Sequence, residues 1–351
     1  MVVTRRRVAI ILGGRSGEHE VSLRSARGVI AALDRDRWEP VPVGITRTGT
    51  WLSTGQTQRL LDSGAERFTG GDGAVLLGAE AMSALFACDL AFPLVHGTYG
   101  EDGSLQGFLE IAGIPYTGCG VAASAIGMDK SLMKALFREA GVPVPLYSVI
   151  RSWEYALNEM QALRLVEEHL GYPCFVKPAN GGSSVGVTRA SSREDLPAAF
   201  RAAFAYDDTV VVEEAIRGRE VECSVLGNEH PEASVVGEII PDREFYDYDS
   251  KYSPHSTTAL EIPARLPRAT AEEVRDLALR MYQVMGCEGY ARVDFFVTAT
   301  GVVANEVNTI PGFTSISMYP KLWEASGVDY TRLLSRILDL ALDRHERRSA
   351  R

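Results

Sequence analysis

The chain has 351 residues, 46% hydrophobic and 23% charged, which excludes intrinsic disorder and fibrous repeats. At about 150 residues per domain this length implies two or three domains. The net charge of −10 repels phosphate backbones, so nucleic acid is not an expected partner, and the sequence offers no apolar run long enough for a membrane span.

In chain order, residues 7–12 read as a buried strand ended by Gly13 and Gly14, and residues 21–33 as a helix with apolar positions at Val21, Val29, Ile30 and Leu33. Strands follow at 41–46 and 90–95, then a helix at 104–112 closed by Gly113. This β-α-β-β-α order predicts an open α/β unit, with the Gly- and Ser-rich stretch 51–85 as a surface excursion. An α+β unit begins near Asp129, with helices at 130–140, 153–170 and 193–204 and strands at 174–177, 185–189 and 209–213. A third unit, from Arg219, has strands at 220–226 and 234–239, a hairpin at 290–297 and 302–307, and helices at 271–285, 317–324 and 330–342. Its polar, Tyr-rich loop 242–258 is long enough to suggest a lid, and the basic tail 344–351 is expected to fray. Five scattered cysteines without a C-x-x-C pair indicate neither a zinc site nor a disulfide framework, and suit a reducing cytoplasm.

The hairpin carries the most chemistry. With a three-residue loop Ala299-Thr300-Gly301, Asp294 faces Glu306 and Arg292 faces Asn308, all on one side; a two-residue loop would separate the two acids. Carboxylates facing each other repel unless a cation intervenes, and oxygen-only ligands suit a hard ion such as Mg²⁺. The same pattern also describes a solvated face on which Arg292 neutralises the acids. In FVKPANGGSSVG a strand presents Lys177 before a Gly/Ser turn whose N–H groups could cradle an anion, or which is a plain hairpin turn. Asp129 is a candidate N-cap that sets Lys130 in a first helical turn, where a cation opposes the helix dipole unless an anion binds there. GGRSGEHEVS places Glu18 and Glu20 at a helix start without the dinucleotide spacing, and His96 ends a strand before a Gly-rich loop.

The segments GGRSGEHEVS, LVHGTYGEDGSLQG, PYTGCGVAASAIGMDK, FVKPANGGSSVGV, FYDYDSKY, ARVDFF and NEVNTIPGFTSISMYP, in this order, resemble the D-alanine–D-alanine ligases of the ATP-grasp superfamily over nearly the whole chain. The resemblance implies a three-domain ATP-grasp architecture of α/β and α+β class: an open α/β domain at 1–128 with the first substrate site, a central domain at 129–218, and a C-terminal domain at 219–351 with the metal and acceptor sites and the mobile loop 242–258. It implies an ATP-dependent ligase that joins two D-alanines through an acylphosphate for peptidoglycan synthesis, in the cytoplasm, as a homodimer.

By the same resemblance Lys130 and Lys177 bind ATP phosphates under the loop Gly181–Ser184, including Gly182, Ser183 and Ser184. Glu213, Glu214, Ala215 and Ile216 form the linker facing adenine, Glu220 holds the ribose, and Phe175 and Phe296 pack on the base. Glu214 departs from the lysine common in the family. Asp294, Glu306 and Asn308 hold two Mg²⁺ or Mn²⁺. Glu18 and His96 receive the first D-alanine, with Lys251 also at the substrate. Arg292 and the Gly312 N–H form an oxyanion hole, and Ser317 and Met318 meet the second carboxylate. Ser183, Tyr252 and Glu18 form a hydrogen-bonded set. The competing readings are a D-alanine–D-lactate or D-alanine–D-serine ligase, a non-catalytic nucleotide-binding regulator, and a dinucleotide oxidoreductase. The complete set Arg292, Asp294, Glu306 and Asn308 opposes the second, and the missing dinucleotide fingerprint opposes the third.

Overall fold

The computed structural model describes residues 5–63, 77–240, 259–314 and 316–350, which form three sheets. Strand β1 (Arg6–Gly13) lies between β2 (Trp38–Ile45) and β3 (Leu90–Pro93), parallel to both. Val8 through Leu12 are fully buried, because a central parallel strand is covered on both faces; hence the unbroken apolar run. Helix α1 (His19–Ala32) turns Leu23, Ala26 and Val29 into the core beside β1. The stretch 51–85 is more than a surface excursion. It holds α2 (Thr54–Ser63) and α3 (Ala79–Phe86) and buries Leu52, Leu60, Leu61, Ala81 and Leu85. Gly and Ser dilute the helical period there, and residues 64–76 lie outside the described ones.

Helix α4 (Ser104–Ile111) is followed by α5 (Val121–Met128), whose small residues give little apolar contrast to read. Helix α6 (Lys130–Glu139) starts at the expected cap: the Asp129 carboxylate accepts from the N–H groups of Ser131 and Leu132. Its Met133 and Phe137 are packed into the core under the third sheet.

The second sheet has the order β4-β7-β5-β6, and β4 (Tyr147–Arg151) had no clear signal in the sequence. The helix expected at 153–170 is two, α7 (Ser152–Leu157) and α8 (Glu159–His169). Asn158 breaks them apart and caps the second, its side chain accepting from Gln161 N at 3.1 Å. Strands β5 (Cys174–Pro178) and β6 (Thr188–Ala190) flank the Gly/Ser loop, and the strand expected at 185–189 starts only at Thr188. Helix α9 (Leu196–Phe204) and strand β7 (Thr209–Glu214) complete this unit.

The third sheet runs β10-β9-β8-β11-β12, with β8 (Arg219–Leu226), β9 (Glu232–Ile240) and the short edge β10 (Ala259–Glu261). Helix α10 (Arg268–Val284) covers one face, burying Val274, Ala278 and Met281. Strands β11 (Tyr290–Thr298) and β12 (Gly301–Asn308) form the hairpin, followed by α11 (Met318–Ala325) and α12 (Tyr330–Ser349). Leu333, Leu334, Ile337 and Leu338 of α12 share a core with Val8, Ile10 and Leu12 of β1. Among the described residues no helix is long and apolar enough to cross a membrane.

The basic tail does not fray at Arg344. The helix continues to Ser349, and Arg344, 3% exposed, donates to the carbonyls of Tyr116 and Gly118 and lies 4.4 Å over the Tyr116 ring. Arg344→Met would leave two buried carbonyls without donors, a loss of about 2–3 kcal/mol. Thermal denaturation should show a melting point several degrees lower; an unchanged melting point refutes the clamp.

Candidate active site

A cavity of about 710 Å³ opens where the three sheets meet. Glu18 and His96 line it from the N-terminal unit, Lys130, Gly182 and Ser183 from the central one. Glu220, Arg292, Asp294, Phe296, Glu306, Asn308, Gly312, Ser317 and Met318 line it from the C-terminal unit. Phe175, Lys177, Ser184, Glu213, Glu214, Ala215 and Ile216 lie outside this lining, and Lys251 and Tyr252 lie outside the described residues.

The hairpin pairs Asp294 with Glu306 and Arg292 with Asn308, but not through a three-residue loop. Thr298 pairs with Gly301, so the loop is Ala299-Thr300, and an extra residue, Asn305, bulges out between the pairs Phe295–Ala304 and Asp294–Glu306. The bulge restores the register that the short loop would have lost. Arg292 grips Asp294 through Nε and Nη2, each at 2.7 Å, and Asn308 Nδ2 donates to Asp294 Oδ2 at 3.0 Å.

Glu222, which no motif singled out, lies opposite Asp294 on β8, and its Oε2 is 2.9 Å from Arg292 Nε. Burial opposes the charge on Arg292, but Asp294 and Glu222 more than offset it and hold the guanidinium firmly protonated. Asp294 and Glu222 thus pair with one guanidinium and Glu306 lies opposite Asp294, a surplus of negative oxygen that suits a hard divalent cation. The donor chemistry of Asp294, Glu306 and Asn308 therefore fits the expected metal. Among the described residues no three His, Cys, Asp or Glu side chains are placed to hold a metal ion, and the expected set is two carboxylates and an amide.

The Gly/Ser loop is strained. Ser183 and Ser184 have φ of 51° and 61°, a left-handed conformation costing non-glycine residues on the order of 1–3 kcal/mol each. Ser183 Oγ donates to Glu18 Oε1 at 2.6 Å, so two members of the expected Ser183–Tyr252–Glu18 set are in contact across two units. Lys130 Nζ reaches the Gly181 carbonyl at 2.5 Å. Behind the loop, Lys177 Nζ lies 2.7 Å from Glu213 Oε2, so the Glu213 side chain faces lysines. Burial alone would raise the Glu213 pKa, but Lys134 and Lys177 hold it below the usual carboxylate range. The Glu214 carboxylate instead accepts from Leu146 N at 2.7 Å. At the far end, a Cβ on Gly312 would lie 2.7 Å from Ser317 Oγ, so a side chain there would push that hydroxyl aside. The hydroxyl accepts from Thr314 N at 3.0 Å.

His96 is buried, with Nδ1 donating to the Ile310 carbonyl at 3.0 Å and Glu101 Oε1 at 3.6 Å. Glu101 was visible in the sequence only as part of a Gly-rich loop. Burial pushes the His96 pKa down, but Glu101 and Glu18 outweigh it and raise it above 6.5. Burial, reinforced by Glu18, also pushes the Glu101 carboxyl up. Two carboxylates and one imidazole hold a proton that the unfolded chain would release.

A family profile described as "D-ala D-ala ligase C-terminus" matches residues 136–339, and one described as "D-ala D-ala ligase N-terminus" matches residues 7–119. The chain belongs to the D-alanine–D-alanine ligase family. The D-alanine–D-alanine ligase of Thermoanaerobacter sp. strain X514 is 45% identical over 356 residues, spanning 97% of this chain and 98% of that protein. D-alanine–D-alanine ligase A of Salmonella typhimurium is 43% identical over 363 residues, spanning 99% of each. The solved D-alanine–D-alanine ligase of Coxiella burnetii superposes with a TM-score of 0.81 at 35% identity, over 99% of this chain and 96% of that one. VanG D-Ala:D-Ser ligase from Enterococcus faecalis does so with a TM-score of 0.82, also at 35% identity, over 96% and 100%. The three-sheet architecture is therefore the ATP-grasp fold of this family, and the protein is a ligase.

The ligase should carry a stability signature of its buried proton. His96 and Glu101 have raised pKa values, so the folded state binds more protons than the unfolded one. The His96 contribution is fully present below about 6.5 and that of Glu101 below about 4.5, their ordinary values, and each is lost as pH rises through its own raised value. Thermal stability measured from pH 5.5 to 8 should fall more steeply in the wild type than in Glu101→Gln. Parallel profiles would refute the shared proton.

Proposed function

We propose that this ligase joins two D-alanines into D-alanyl-D-alanine at the expense of ATP, as a peptidoglycan precursor. The observation that carries the reading is the cavity itself, with Glu18 and His96 on one wall, Lys130 and the strained loop on another, and Arg292 among carboxylates on the third. Glu18 takes the ammonium of the first D-alanine. The carboxylate of that substrate attacks the γ-phosphate of ATP, giving an acylphosphate and ADP. Lys130 and Lys177 offset charge on the phosphoryl oxygens, and the loop through Gly182, Ser183 and Ser184 excludes water. Phe175 and Phe296 flank the base, Glu220 takes the ribose, and the linker Glu213 to Ile216 meets adenine through its backbone. Asp294, Glu306 and Asn308 would hold two Mg²⁺ or Mn²⁺ ions, which when bound screen the phosphate oxygens.

The amine of the second D-alanine then attacks the acyl carbon, and phosphate leaves. Arg292 and the Gly312 N–H hold the oxyanion. Glu222 would keep Arg292 in place while Asp294 held a cation. Ser317 and the backbone of Met318 hold the second carboxylate, and Lys251 and Tyr252 complete the acceptor side. A cytoplasmic homodimer, divided at 128 and 218 into three domains, belongs to the same proposal.

A D-serine acceptor is the second reading, favoured by the close superposition on VanG D-Ala:D-Ser ligase. Product analysis with D-alanine alone and with equal D-serine or D-lactate decides between them. D-alanyl-D-alanine should dominate and increase from pH 6 to about 9 as the attacking amine deprotonates, with little depsipeptide at neutral pH. A mixed product with D-serine as the main species at pH 7 overturns the acceptor assignment. Asp294→Asn and Glu306→Gln should each lower turnover on the order of a hundredfold or more, with a raised Mg²⁺ requirement. Near-wild-type rates at limiting Mg²⁺ would reject the metal assignment.

A further inference from the structure

Lys134 lies one turn beyond Lys130 on α6 and is 1% exposed, between Met133 and Phe137 of the buried face. An ammonium so placed costs several kcal/mol unless it is matched at close range. Its match is Glu213, with Nζ 3.1 Å from Oε1, and the Asn305 carbonyl at 3.4 Å. Both partners matter for the site. The other oxygen of Glu213 is held by Lys177, whose side chain is 14% exposed and can meet a ligand, whereas that of Lys134 is 1% exposed and cannot. Asn305 is the residue whose bulge sets Asp294 opposite Glu306. One ammonium thus touches the carboxylate beneath a phosphate lysine and the backbone beneath the acidic pair.

We propose that Lys134 is a positioning residue for nucleotide and metal: it shares the charge of Glu213 with Lys177, so that Lys177 is held less tightly and can turn to phosphate, and it pins the Asn305 bulge. The inference rests on the ATP reading above. Without Lys134, Lys177 is the cation left on a buried carboxylate and is held there, so its attraction for phosphate falls. If Glu213 is neutralised as well, Lys177 is released, but the bulge remains unpinned. The two roles therefore separate in a pair of variants.

The experiment is calorimetric titration of the full chain with ADP, with and without Mg²⁺, for wild type, Lys134→Met and Lys134→Met/Glu213→Gln. The single variant should bind metal-free ADP about tenfold more weakly or worse. The double variant should recover metal-free ADP binding to within a few-fold of wild type. Both variants should need several times more Mg²⁺ for half-maximal enhancement of ADP affinity. A purely structural lysine would give no such recovery of one property without the other. Wild-type ADP affinity and Mg²⁺ requirement in a folded Lys134→Met overturn the inference, as does a double variant that recovers neither or both. If the single variant does not fold, the double variant, with no unpaired buried charge, decides through its Mg²⁺ requirement. Wild-type protein that binds no ADP overturns the ATP reading, and this inference with it.

Discussion

Charge removed from water must be matched within a few ångströms, and that constraint organises the ligase around its cavity. Each charged cluster there contains more of one sign than its own unit can balance. Three carboxylates gather at Arg292, two lysines at Glu213, and two carboxylates at His96. Around the His96 and Glu213 clusters and the Gly/Ser loop, contacts also cross between units. Ser183 of the central loop bonds Glu18 of the first unit, His96 of the first unit bonds the Ile310 carbonyl of the third, and Lys134 joins Glu213 to Asn305. Hydrophobic packing joins the first sheet to the third, while the second keeps a core of its own, and short polar contacts reach across all three.

The left-handed serines belong to the same arrangement. A loop at Ser183 and Ser184 is held against its backbone preference, and the Glu18 bond is the visible restraint. The contact ties the loop's shape to the wall where the first substrate is proposed to sit, so occupancy of that wall and the position of the loop are coupled.

Local pattern made much of this readable from sequence. The buried run of β1, the Asp129 cap and the pairing of Asp294 with Glu306 all follow from periodicity and residue type. The last pairing holds for a different reason from the one expected: a bulge at Asn305 compensates for a two-residue loop. Bulges depend on neighbouring strands, and no local rule marks Asn305. Helices α2, α3 and α5 were obscured by small residues, and β4 by its position at an edge, where half-exposed residues show little contrast. Lys134 and Glu222 were invisible for a more basic reason. A charged residue in an amphipathic segment looks solvated until the tertiary partner that covers it is known.

The last long helix has a consequence for how the chain reaches this structure. Residues of α12 fill the same core as the first strand, and Arg344 closes over the backbone at residues 116 and 118. The first sheet therefore keeps an apolar face uncovered until α12 has been made. Folding of the N-terminal unit waits on these contacts, which are distant in sequence, and until they form that face is open to aggregation or to a chaperone.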